Sequence, residues 1–181
     1  MTIFVALLRA VNVGGTGMLP MKTLATLCSD LGFTNVRTYI QSGNVVFETK
    51  SSREKTRAGL ERTLAAHMGK KVDVVLRDAA EMRQALEHNP FPDAPPAKVA
   101  VAFCSAPVDK AVVKQIVAPG GEQVVGSHQE IYVYYPDGMG RSKLKFPKTD
   151  GFATVRNINT VARLVAMTGE IAASRPRGKP I

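Results

Sequence analysis

Apolar and polar positions along the chain switch repeatedly between two periods, and the switching predicts the order of its elements. Ile3–Leu8 is a continuous apolar run of strand length, as expected of a strand covered on both faces. A glycine-rich loop follows, and Pro20 stands where a first helical turn favours it. Met21, Leu24, Leu27, Cys28 and Leu31 then recur at helical spacing until Gly32 stops the helix. Val36–Ile40 and Val45–Thr49 read as strands joined by the turn Gln41-Ser42-Gly43-Asn44. Ser51 and Glu54 form a capping-box pattern ahead of a helix carrying Leu60, Leu64 and Met68. Val72, Val74 and Leu76 alternate with Asp73 and Arg77, a strand pattern. The order so far is β-α-β-β-α-β.

A short helix capped by Asp78-Ala-Ala-Glu81, with Met82, Ala85 and Leu86 inward, leads into the Pro-rich stretch Asn89–Pro96, which reads as a linker. The pattern then starts again. Val99, Val101 and Phe103 alternate in a strand, and Asp109 caps a helix carrying Val112, Val113 and Ile116. Strands are expected near Glu122–Val125 and Ile131–Tyr135 around a turn at Gly126–His128. A short helical stretch is expected from Arg141, a short strand at Phe152–Val155, and a last helix carrying Ile158, Val161, Leu164 and Val165. The fold class that follows is α+β, with two consecutive ferredoxin-like (α/β-plait, βαββαβ) subdomains, a connecting helix and a C-terminal helix. Residues 1–78 would form the first subdomain, 79–96 the connecting helix and linker, 97–170 the second subdomain with its terminal helix, and 171–181 a basic tail.

Composition changes this picture little. With 181 residues, 45% of them hydrophobic, the chain can build real cores and is not a disordered polymer. Cys28 and Cys104 lie far apart inside apolar stretches and read as small buried hydrophobes of a reducing compartment. The apolar start is too short to span a membrane and lacks a basic leader, so no membrane partner and a cytoplasmic address are expected.

Charge adds more. The net charge is +9, and positions 137–181 hold nine Lys/Arg against three Asp/Glu, so most of the excess sits in the last quarter. Such a field attracts phosphates and polyanions, although a solubilising surface with a basic tail would look the same.

The βαββαβ order sorts the polar residues by strand end. One edge of the first subdomain gathers the end of its first strand, the start of its first helix and the strand 2–3 turn. That edge receives Arg9, Asn12, Gly14, Gly15, Lys22, Gln41, Ser42 and Asn44. Glycines admit a close ligand, and a helix start offers unpaired N–H groups. In the second subdomain the loop after the third strand, the next helix start and the end of the fourth strand share an edge. Arg141, Ser142, Lys143, Arg156, Asn157 and Asn159 fall there. Both sets suit an anionic or phosphate-bearing ligand. The plainer alternatives are a tight polar connection at the first edge, and at the second a helix cap on Asn157 with solvated basic side chains.

Several stretches are specific enough to carry a resemblance. They are Ala6-Leu-Leu-Arg-Ala-Val-Asn-Val-Gly-Gly15, Pro20-Met-Lys22, Arg37-Thr-Tyr-Ile-Gln-Ser-Gly-Asn-Val-Val-Phe47, Asn89-Pro-Phe91, Tyr135-Pro-Asp-Gly138 with Gly140-Arg-Ser-Lys-Leu144, and Arg156-Asn-Ile-Asn-Thr160. Together they resemble a bacterial family, domain-of-unknown-function family 1697, from about Ile3 to Leu164. The resemblance implies paired α/β-plait subdomains. It carries over no catalytic residue, because the family has no established activity. The chain departs from the family pattern in Ala10-Val11, where Gly-Ile is usual, and in Ile158, where Trp is usual. The segment between Leu144 and Thr154 is also shorter than usual, and Phe146-Pro147 would break a helix there.

Other chemistries find little support. Gly15-Thr-Gly17-Met-Leu-Pro20 begins like a dinucleotide fingerprint, but Pro20 replaces the third glycine and Gln41 stands where an acid is needed. No Walker A sequence exists, and His67, His88 and His128 are scattered, so no cofactor and no metal are predicted. Carboxylates are scarce at both polar edges, leaving no evident general base. Three functions stay open: binding of a small phosphate-containing or nucleotide-like anion, a nucleic-acid module, and an enzyme acting on a small phosphorylated substrate. The second would use the basic C-terminal region with Tyr132 and Tyr134 as stacking platforms. The third would rely on Lys22, Lys143 or Ser42. Oligomeric state is not legible.

Overall fold

The structure is a computed structural model that describes residues 1–14, 17–147 and 151–175. The expected Gly15 and most of the basic tail lie outside the described residues. The chain forms two compact units, one of residues 1–82 with residue 163 onward, the other of residues 83–162. Each contains a four-stranded antiparallel sheet with helices.

In the first unit the elements run β1 (Thr2–Leu8), α1 (Met21–Asp30), β2 (Thr34–Tyr39), β3 (Asn44–Thr49), α2 (Arg53–Met68) and β4 (Val74–Asp78), in the sheet order β2-β3-β1-β4. All six residues from Ile3 to Leu8 are buried, as a continuous apolar strand requires. Alternation then splits them between two faces. Phe4, Ala6 and Leu8 join Val45, Phe47, Val74 and Leu76 under Leu24 and Cys28 of α1 and Leu60 and Leu64 of α2. Phe33 stacks on Phe47 in that core at 4.3 Å between ring centroids. Burial pushes the Cys28 thiol up to about 12, so it behaves as a hydrophobe there.

The opposite face carries Val5, paired in register with Val46 on one side and Arg77 on the other. Arg77 is only 4% exposed, and its guanidinium donates to the Leu76 carbonyl at 3.0 Å. Glu48, beside Ile3 in register, is buried as well. Burial works to raise its pKa, but hydrogen bonds from Asn35 and Arg175 and the Arg175 charge more than offset that, and the carboxyl sits below its usual range. Arg175, just past the last helix, also donates to the Met1 carbonyl.

Local signals explain the element ends, with one displacement. The cap of α2 is Ser52, whose hydroxyl accepts from Lys55 N–H; Ser51, the expected cap, lies one residue too early to reach that N–H. The next helix, α3 (Ala79–Glu87), has a full reciprocal box. Asp78 Oδ1 accepts from Ala80 and Glu81 N–H, and Glu81 Oε2 accepts from Asp78 N–H.

The second unit runs β5 (Val99–Cys104), α4 (Lys110–Lys114), β6 (Gln123–Gly126), β7 (Glu130–Tyr134) and β8 (Ala153–Asn157), in the order β6-β7-β5-β8. Helix α5 (Ile158–Ala173) follows directly. Ala100, Ala102, Ile131, Val133 and Tyr135 form its core with Ile116 and Leu144 packed against them. Asp109 caps α4 by accepting from Ala111 N–H, but the helix lasts five residues and stops before Ile116. The helix expected from Arg141 does not form among the described residues. A 3-10 turn, Met139–Arg141, ends there instead, because Pro136, Gly138, Gly140 and Pro147 leave no uninterrupted helical stretch. Lys145 then makes an isolated bridge to Val117.

Among the described residues no helix is long and apolar enough to cross a membrane.

Two measurements check this account. Gly43 has φ +80°, and a Cβ there would lie 2.4 Å from Val11 Cγ2 and 2.9 Å from Leu8 Cβ. Gly43→Ala should therefore cost about 2–4 kcal/mol in denaturant unfolding, well above Gly69→Ala, which meets only the strain of a positive φ, about 1 kcal/mol. For Glu48 the folded pKa lies below the unfolded one, so its contribution is complete above the unfolded value, about 4.3, and is lost as pH falls through the folded pKa. Glu48→Gln should flatten that acid limb of the stability curve, and an unchanged limb would show that another carboxyl governs it.

Candidate functional site

At the first polar edge the structure brings the expected residues together but commits most of them to the scaffold. Asn12, at φ 55°, donates from Nδ2 to the Leu19 and Gln41 carbonyls at 2.8 and 2.7 Å, and its Oδ1 accepts from Leu19 N–H at 2.6 Å. One side chain thus ties the loop after β1 to the β2–β3 turn. Asn44 donates to the Tyr39 carbonyl and to Ser42 Oγ, closing the same turn. Arg9 forms an ion pair with Asp73 at 3.3 Å. Lys22 and Gln41 remain exposed, and the Lys22 ammonium has no hydrogen bond or ion pair among the described residues. Gly14 is exposed too. The hollow at this edge, about 600 Å³, is lined by Asn12, Val13, Gly14, Gly17, Met18, Pro20 and Gln41. Its walls are mainly apolar, and Met18 is 82% exposed.

The second edge divides differently. Arg141, Ser142 and Lys143 line an open cleft of about 580 Å³ with Pro119, Gly120, Glu122, Tyr135, Pro136, Asp137 and Gly138. Arg156 does not reach it. The parity of β8 turns its side chain onto the sheet face beside Val101, where it is 6% exposed and donates to Thr154 Oγ1 and the Val155 carbonyl. Burial lowers its pKa to about 10, which leaves it charged at neutral pH. Asn157 is spent as well. Its Oδ1 accepts from Asn159 N–H at the start of α5, and its Nδ2 donates to the Pro96 and Ala97 carbonyls. Asn159 itself is exposed.

The cleft has a defined electrostatic pattern. Glu122 accepts from the Ser142 hydroxyl and from Gly120 N–H, and these hydrogen bonds, with its own backbone N–H, hold its carboxyl below the usual range. Tied into these two hydrogen bonds, the carboxylate is placed to fix and orient a donor group. Arg141 and Lys143 are exposed, and neither has a hydrogen bond or ion pair from its side chain among the described residues. Gly138, at φ +83°, turns the backbone at the cleft wall. The arrangement can bind a group bearing negative charge and accept hydrogen bonds from it. Among the described residues no three His, Cys, Asp or Glu side chains could hold a metal ion.

Sequence reasoning missed Glu122, Tyr135 and Asp137. Tyr135 and Asp137 stand in the Tyr-Pro-Asp-Gly stretch ahead of Arg141, and Glu122 follows Gly120-Gly121 just before β6. The β6–β7 pairing, with Gln123 opposite Tyr134, brings these segments together.

A family model described as protein of unknown function (DUF1697) matches residues 1–132. The chain belongs to that family. The DUF1697 match covers residues 1–82 of the first unit but not its part from residue 163 onward, and of the cleft only Pro119, Gly120 and Glu122 fall inside it. The chain is also similar to a solved structure, the conserved bacterial protein SP0830 from Streptococcus pneumoniae. That likeness has 23% identity and a TM-score of 0.74, and covers 92% of this chain and 98% of that one. It extends the shared fold beyond the DUF1697 match. No curated protein matches the sequence.

Asn12 can be tested as a strut apart from any ligand. Asn12→Gly keeps the left-handed backbone accessible but removes three hydrogen bonds, so it should cost about 2–3 kcal/mol in chemical denaturation and speed amide exchange at Leu19. A change within 0.5 kcal/mol would mean the loop is held by other contacts.

Proposed function

We propose that the protein binds a small phosphate-bearing ligand in the cleft of its second unit, with Arg141 and Lys143 engaging the anionic group. The observation that carries the reading is that both cations border a 580 Å³ cleft with no partner among the described residues. Ligand clefts commonly measure about 300–1,000 Å³, so the size suits a metabolite. Most of the donors expected at the first edge are committed to the loop, which moves the proposal to the second. Each unit is further read as an α/β plait. The antiparallel order β2-β3-β1-β4, repeated as β6-β7-β5-β8, supports that reading, although a 3-10 turn stands where the second unit's second helix would be.

A base-stacking surface is less well supported. Tyr132 is 1% exposed and its hydroxyl donates to the Ala85 carbonyl, so its ring is sealed from any nucleotide, while Tyr134 lies against Phe91. Stacking platforms need exposed rings.

Calorimetric titration with inorganic phosphate and phosphate monoesters at physiological salt tests the proposal. A hydrogen bond to a charged group contributes about 1.5–3 kcal/mol, so Arg141→Ala with Lys143→Ala should weaken binding more than tenfold without lowering thermal stability. Equal affinity in the double variant, or no binding of any phosphate compound by the wild type, overturns it.

A further inference from the structure

Tyr135 sits just past β7 with its ring in the second core, only 4% exposed, yet it lines the cleft. Its hydroxyl is its one polar side-chain atom; it has no hydrogen-bond partner among the described residues and keeps contact with solvent. The hydroxyl of Tyr132, by contrast, is sealed and spent on the Ala85 carbonyl. Burial, and then the charge of Glu122, raise the phenol above its usual range, so it stays protonated and within electrostatic reach of the Glu122 carboxylate. That carboxylate is itself held in place by Ser142 and Gly120. An ionised carboxylate has about four acceptor positions, and these two bonds leave some of them open.

The cleft therefore has two chemically different halves. Arg141 and Lys143 offer charge, while Tyr135 and Glu122 offer a neutral donor–acceptor and a fixed acceptor. The lining also contains Asp137, so its two cations face two carboxylates. A polyanion gains nothing from such a balance and is repelled at the Glu122 side. A bare phosphate would leave the Tyr135 hydroxyl unused.

Resting on the reading of the cleft as an anion site, we infer that its ligand is a phosphomonoester of a polyol, such as a sugar phosphate or a nucleoside monophosphate. The phosphate lies at Arg141 and Lys143, and a sugar hydroxyl donates to Glu122 while hydrogen-bonding to Tyr135. Tyr135 and Glu122 then act as specificity-determining residues for the hydroxyl-bearing part.

The test is calorimetric titration of the full chain with ribose 5-phosphate, adenosine monophosphate, inorganic phosphate and ribose. Either phosphomonoester should bind at least tenfold more tightly than inorganic phosphate, and the ratio between the two separates a sugar phosphate from a nucleotide. In Tyr135→Phe, and independently in Glu122→Gln, that preference should shrink about five- to tenfold, the worth of one hydrogen bond. If inorganic phosphate binds as tightly as both esters, and neither variant changes the ratio, the inference fails while the anion site stands. If no phosphate compound binds, both fail together. Circular dichroism and melting of each variant exclude loss of fold as the cause.

Discussion

Antiparallel pairing of a central strand that is covered on both faces governs where chemistry can occur in each unit. Ile3–Leu8 of β1 and Val99–Phe103 of β5 leave almost no side chain exposed. Every polar group with a role beyond packing must then lie at a strand end, in a connection, or on a face where it is fully satisfied. The last option is dear in free energy, as the bonds that surround the buried Glu48, Arg77 and Arg156 show. The connections are therefore where a ligand can be met, and the two units use theirs in different ways.

In the first unit the polar residues of the connection act mainly on the protein itself. Asn12 replaces the hydrogen bonds that a sharp loop cannot supply from its own backbone, and Asn44 does the same for the adjoining turn. In the second unit the described part of the connection after β7, interrupted by Pro136, Gly138, Gly140 and Pro147, forms a 3-10 turn and no α-helix. Its backbone stays open, its two cations stay exposed, and Glu122 is held across from them by Ser142.

Much of this was legible in the residues. The apolar run of β1, the spacing in α1, the β2–β3 turn, and the caps on Asp78 and Asp109 all follow from short-range rules, and those rules have local causes. The rest depends on pairing. Whether Asn12 would face a ligand or its own loop turns on a left-handed φ, which sequence does not display. Arg156 looked like an edge residue because it ends a strand, but strand parity turned it inward. Tyr132 looked like a platform because it alternates with Tyr134, whereas the face it occupies is closed. Glu122 and Tyr135 belong to different segments, and only register brings them into one cleft. Ala10 is the reverse case: the resemblance marked it as a departure from glycine, and the structure shows the backbone there at φ 51°, where glycine would be less strained.

Arg77 and Arg156 stand at the same place in their two sheets, each opposite the middle valine of a central strand, Val5 and Val101. A slip of one residue in a strand turns every one of its side chains to the opposite face. Here a slip of β4 by one position would drive a guanidinium into the apolar layer around Phe4 and Leu76, and a slip of β8 would do the same among Ala100 and Ile131. An unpaired buried charge costs about 3–5 kcal/mol, a large part of the stability of a domain this size. The two buried arginines thus favour the observed registers of β4 and β8 over their one-residue neighbours.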